Sequence, residues 1–155
     1  MKSILFVVLV FLLAAAQTSN AVANESDKYQ AEADRYYAEG NYKKAFKGYF
    51  KLAKTGDHYS QYWVSNMYAN GEGKKLDLEY AYAWSALAAE SGEETLIRNS
   101  EELLARNEDK DGALKKAEKL NSKYGKQVLE KKARANAKRR TIARSGTCTG
   151  SRLTC

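Results

Sequence analysis

The run Ala53-Lys54-Thr55-Gly56 returns as Ala89-Glu90-Ser91-Gly92, and Ala45 returns as Ala81, both at an offset of 36 residues. A fixed period in this range marks helical repeats, each a hairpin too small to bury its own apolar face. Tyr37-Ala38-Glu39-Gly40 also returns, as Tyr68-Ala69-Asn70-Gly71, but at an offset of 31. The second unit therefore carries five extra residues, about Glu72 to Leu76, as a loop between its helices. Alanine at matched positions has a physical reason, since helices that cross closely leave no space there for a longer side chain.

The apolar spacing predicts helices on both sides of each match. Tyr29, Ala33, Tyr36 and Tyr37 mark one running from near Ser26 into Gly40, and Gly40-Asn41 ends it and caps the next. In that second helix Tyr42, Ala45, Phe46, Tyr49, Leu52 and Ala53 share a face, while Lys43, Lys44, Lys47, Lys51 and Lys54 cover the other as far as Gly56. Tyr62, Val64, Met67 and Tyr68 predict a third helix closing at Asn70-Gly71, and Tyr80, Ala81, Trp84, Leu87 and Ala88 a fourth closing at Gly92. Leu96, Ser100, Leu103 and Leu104 mark a fifth, and Leu114, Ala117, Asn121, Tyr124 and Val128 a sixth. With no proline in 155 residues nothing interrupts these patterns, and the fold class is all-α.

Met67-Tyr68-Ala69-Asn70-Gly71-Glu72-Gly73, then Asp77, Ala81, Trp84, Ala88-Ala89 and Gly92, resemble the Sel-one-like repeat, a relative of the tetratricopeptide repeat. The match covers residues 60–92, and residues 29–56 resemble a degenerate first copy without the glycine-rich insertion. The resemblance implies a short right-handed solenoid of αα-hairpins, about two repeats plus a C-terminal capping hairpin, with Asp77 capping the fourth helix. It also implies that a concave surface lined by the first and third helices receives a protein partner, with Tyr36, Tyr62, Asn66 and Asn70 as the exposed candidates.

Lys2, the apolar run Ile4 to Ala16 and the small residues of Ala21-Val22-Ala23 read as a cleavable export signal over residues 1–23, because the run is too short to span hydrocarbon. The expected localisation is the periplasm or the exterior, with no membrane span after cleavage. Residues 24–129 form the repeat domain and residues 130–155 a basic tail. Residues 24–104 carry 10 Lys and Arg against 14 Asp and Glu, whereas residues 105–155 carry 15 against 5. Lys131, Lys132, Arg134, Lys138, Arg139, Arg140 and Arg144 make the tail a candidate for an anionic envelope component, the plain alternative being a solvated tail. No aromatics interleave with these cations, so specific nucleic-acid recognition is not expected. Cys148 and Cys155 stand in the last eight residues, and an even count in an exported chain favours a terminal disulfide loop; intermolecular bridges and free thiols are the alternatives.

Little else suggests chemistry. His58 is the single histidine, so neither a paired acid–base site nor a histidine metal site can be assembled, and neither a metal nor another cofactor is expected. Glu90-Ser91 resembles the catalytic pair of wall-cleaving transglycosylases in two letters only, without the surrounding motifs, and a structural role is expected. Gly71-Glu72-Gly73 is a turn, with no strand before it to make a phosphate loop. Trp63 and Trp84, with Tyr62, Tyr68, Tyr80 and Tyr82, could wall a ligand site, but at helical spacing Trp84 belongs in the core. The sequence therefore points to a non-enzymatic adaptor, with anion binding through the tail as the alternative.

Overall fold

The computed structural model describes the backbone of residues 25–144 and side chains to residue 141. The expected signal segment and the two cysteines lie outside the described residues. Helix α1 covers residues 25–38, followed by α2 (Tyr42–Ala53), α3 (His58–Asn70), α4 (Leu78–Ala89), α5 (Glu94–Arg106), α6 (Lys110–Tyr124) and α7 (Lys126–Arg144). Among the described residues there is no strand, and no helix is long and apolar enough to cross a membrane.

Short polar residues start the helices where the sequence changes from turn to apolar stripe. The carboxylates of Asp57, Asp77 and Asp109 accept from the backbone N–H groups of Ser60, Tyr80 and Gly112 at 2.7, 2.9 and 2.8 Å, and Asn41 does the same for Lys44 at 3.4 Å. Each satisfies a donor that the first helical turn leaves unpaired, contributing about 1 kcal/mol.

The matched alanines Ala45 and Ala81 are fully buried, as close helix crossings require. Around them a chain of aromatic rings joins the hairpins. Tyr49 stacks on Trp63 at 5.5 Å, Phe50 meets Trp84 edge-on at 5.4 Å, and Trp84 stacks on Tyr124 of α6 at 5.7 Å. Trp84 is 1% exposed, so its burial contributes on the order of 3 kcal/mol. Helix α4 is the centre of the domain, packed against α3, α5 and α6.

The extra loop of the second unit reaches back to the first hairpin. Gly71 ends α3 at φ 74°, a left-handed conformation suited to glycine. Glu72 then accepts a hydrogen bond from the Tyr37 hydroxyl at 2.9 Å. Gly73, at φ 70°, lies so close to the start of α2 that a Cβ there would run into the Tyr42 carbonyl.

The C-terminal half departs from the expected pattern in three places. Helices α5 and α6, expected to close on each other as a hairpin, touch little and instead both pack on α4. The reason is the direction of their apolar residues: Leu103 of α5 joins Ala69 and Ala81, whereas Leu120 and Tyr124 of α6 join Trp84 and Leu87. Leu114, expected on the buried stripe of the sixth helix, is 46% exposed. The stripe also does not run unbroken to Val128, because the helix stops at Gly125, whose extended ψ of 150° separates α6 from α7. Glu90 holds this break, accepting from the Asn121 side chain and from the backbone N–H of Lys126, each at 2.7 Å. Val128 and Leu129 are half-buried, and from Glu130 to Thr141 every residue of α7 is exposed.

Candidate functional site

A groove of about 510 Å³ lies between α3 and α5. Tyr59, Tyr62 and Trp63 form its α3 wall, and Leu96 and Asn99 face them from α5. The local sequence explains the wall. Ser60, Val64 and Met67 point α3 into the core, leaving the intervening aromatics at the rim. Trp63 is held by its stack on Tyr49 and by edge contacts with Tyr59 and Tyr62 at 6.1 Å each.

Hydrogen bonds fix the floor beneath these rings. Asp34 of α1 accepts from the Tyr49 hydroxyl at 2.6 Å and from the Tyr59 hydroxyl at 3.3 Å, tying three helices to one carboxylate. Burial, followed by the hydrogen bond to Asp34, pushes the Tyr49 phenol well above tyrosine's ordinary range, and burial raises Tyr59 as well. His58 is the first residue of α3, with Nδ1 3.2 Å from the Gln61 side-chain oxygen. The buried Gln61 amide in turn donates at 3.1 Å to the Ala53 carbonyl, which also accepts from the backbone N–H of Gly56 at 3.2 Å.

The groove is polar at its edges. Glu93 stands just before α5 and Glu102 on it, and the one cation among its walls, Arg98, already pairs with Glu94 at 2.9 Å. The side-chain nitrogen of Asn99 is buried yet makes no hydrogen bond among the described residues. Leaving such a donor unmade costs roughly 1–3 kcal/mol, and with no exposed surface the nitrogen meets a ligand's acceptor only when the groove wall moves.

The four residues singled out from the sequence are divided. Tyr62, Asn66 and Asn70 follow one another at one-turn intervals along α3; Tyr62 is in the groove wall, Asn66 is half-buried beyond it, and Asn70 is exposed at the helix end. Tyr62, expected to be exposed, is half-buried because its ring packs edge-on against Trp63. Tyr36 is not among the walls; it lies on α1 between the cations of Arg35 and Lys44, at 4.7 and 4.9 Å from its ring. Leu96 is legible in the sequence only as part of the apolar stripe of the fifth helix, and no local pattern marks Asn99 or Asp34, since they act only through residues distant in sequence.

The tail cations from Lys131 to Arg140 stand along the exposed length of α7, where Arg134 reaches Glu130 at 3.5 Å. Arg144 ends the helix. In comparison with known proteins, no family model, no curated protein and no solved structure matches this chain.

Proposed function

We propose that this chain is an exported Sel-one-like repeat adaptor that binds a segment of another protein in the periplasm or cell envelope, using the groove between α3 and α5. In this reading residues 1–23 are removed on export, Cys148 pairs with Cys155, and the protein binds without catalysing. The observation that carries it is the unpartnered Asn99 amide set opposite the aromatic wall of Tyr59 and Tyr62. Rigid aromatics facing an apolar residue and a free amide suit an extended peptide, which offers side chains and backbone carbonyls together.

The test is a photocrosslinking amino acid placed at Tyr62, with Lys119 on the exposed side of α6 as control, in cells and across a salt series. One defined protein adduct at Tyr62 that persists at high salt is expected. Adducts of equal yield at both positions would overturn the reading.

A second reading is favoured by the run of exposed cations on α7, namely an anion-binding factor acting through its tail. It predicts capture that falls steeply with salt and disappears when Arg139 and Arg140 become Gln, whereas groove binding falls little.

A further inference from the structure

A second groove, of about 480 Å³, runs along the outer face of α2. Its floor is aromatic: Phe46 and Phe50 stack at 5.5 Å, and Tyr68 meets Phe46 edge-on at 5.3 Å. Its rim is cationic. Lys43, Lys47, Lys51 and Lys54 supply an ammonium about once per turn along one side, over roughly 16 Å at 1.5 Å per residue, and Lys74 of the extra loop stands on the other. No carboxylate lies among its walls, and among the described residues none of these five lysines forms a salt bridge. Three of them rest over rings instead: Lys51 over Tyr29 at 3.5 Å, Lys54 over Phe50 at 5.0 Å and Lys74 over Phe46 at 5.1 Å.

The repeat indicates what covers such a face. Thirty-six residues on from Lys43, Lys47, Lys51 and Lys54 stand Glu79, Ala83, Leu87 and Glu90 of α4. There a helix of this chain, α6, is the cover: Lys116 pairs with Glu79 at 2.8 Å, Asn121 bonds Glu90 at 2.7 Å, and Leu120 and Tyr124 pack on the cluster that holds Leu87. On α2 the charge is reversed and the cover is missing among the described residues. The segments outside those residues, 1–24 and 145–155, contain no Asp or Glu, so they cannot supply the complement.

We infer that the α2 groove is a docking site for an acidic amphipathic helix of a partner protein, its carboxylates one turn apart against the lysines and its apolar stripe on Phe46, Phe50 and Tyr68. A single small anion would leave most of the lysine row unused, and a bare polyanion would leave the rings without apolar partners. A bilayer fits poorly, because the rings are recessed beneath the lysines and Phe46 is 4% exposed, leaving no apolar wedge to insert.

The experiment measures fluorescence anisotropy of a synthetic helical peptide, with Glu at one-turn intervals beside a Leu and Phe stripe, against the purified protein. Expected is saturable binding that weakens about tenfold in Lys47→Glu with Lys51→Glu, and less than about threefold in Arg139→Glu with Arg140→Glu. Circular dichroism checks the fold of each variant, and Lys43→Glu with Lys47→Glu serves as a second groove variant. A peptide whose apolar stripe is replaced by Gln should bind at least about tenfold more weakly. Absence of peptide binding, equal loss in groove and tail variants, or equal affinity for the Gln peptide would overturn the proposal. So would groove-dependent capture of phosphatidylglycerol vesicles without peptide binding. Tyr62→Ala should leave the peptide affinity unchanged, so the α3–α5 groove and this one can fail separately.

Discussion

Helices α2 and α4 begin after equivalent caps and present fully buried Ala45 and Ala81 at the same place in the pattern, yet their remaining faces were put to opposite uses. The face of α4 carries acids and an aliphatic residue and is sealed by α6; that of α2 carries lysines and has no cover among the described residues. The comparison teaches that the repeat specifies backbone path and close crossings through small residues, and leaves charge on the outer face to decide whether a helix is retained from the same chain. Lys116 shows the mechanism on the closed side. Burial disfavours its charge, but Glu79 and Asp77 outweigh this and raise its pKa above lysine's usual value, while the same ammonium lies 4.2 Å from the Tyr80 ring.

The strongest way to break the comparison is at Trp84, which touches both sides through Phe50 and Tyr124. Trp84→Ala should cost about 3–5 kcal/mol, enough to threaten a domain of this size, read as a fall in the urea midpoint. A loss under about 1 kcal/mol would mean that α6 is held to α4 by Leu120 and its polar contacts, without need of the ring stack.

Glu90 and Lys54 are counterparts in the repeat, and their substitutions should differ. Glu90→Ala removes both bonds at the α6–α7 break and should cost about 1–2 kcal/mol, whereas Lys54→Ala should stay within about 0.5 kcal/mol. Equal losses in parallel urea titrations would remove the distinction between a closed and an open face.

Much of the all-α architecture was legible because caps, stripes and matched alanines are local signals. What could not be read depends on contacts between distant residues. The break at Gly125 lies between Tyr124 and Val128, which keep helical spacing across it, so only the bonds from Glu90 reveal that the chain turns there. The pairing of α5 and α6 with α4 rather than with each other is set by which side of each helix carries its leucines, and Leu114 misleads because an apolar residue at the right spacing can still face water. At the α3–α5 groove the aromatics were visible as a class, but Asn99 is one asparagine among several until α5 is laid against α3. The lysines of α2 read as an ordinary solvated face, since their rings and their lack of carboxylate partners appear only in three dimensions.

The extra loop, present in only one of the two repeats, offers the finest test. Glu72 accepts from the Tyr37 hydroxyl, and burial together with this bond pushes the phenol from 10.0 up to about 12. The folded protein therefore keeps a proton that the unfolded chain releases above pH 10, so this contribution is whole below pH 10 and is lost as pH rises towards 12. Near neutrality Tyr37→Phe should cost about 0.5–1.5 kcal/mol, the ordinary range for one hydrogen bond. Raising the pH should close the gap between wild type and variant, because the wild-type phenol then ionises beside a carboxylate and the bond is replaced by repulsion. The raised pKa values of Lys116, Tyr59 and Tyr68 have the same sign and lower the stability of both proteins together at high pH, leaving the difference to report on Tyr37 and on its charge coupling to the raised Tyr49 phenol. Urea titrations of the pair from pH 8 to 12 would measure it, and a gap that stays constant across that range would show that the loop is not held to the first hairpin through this bond.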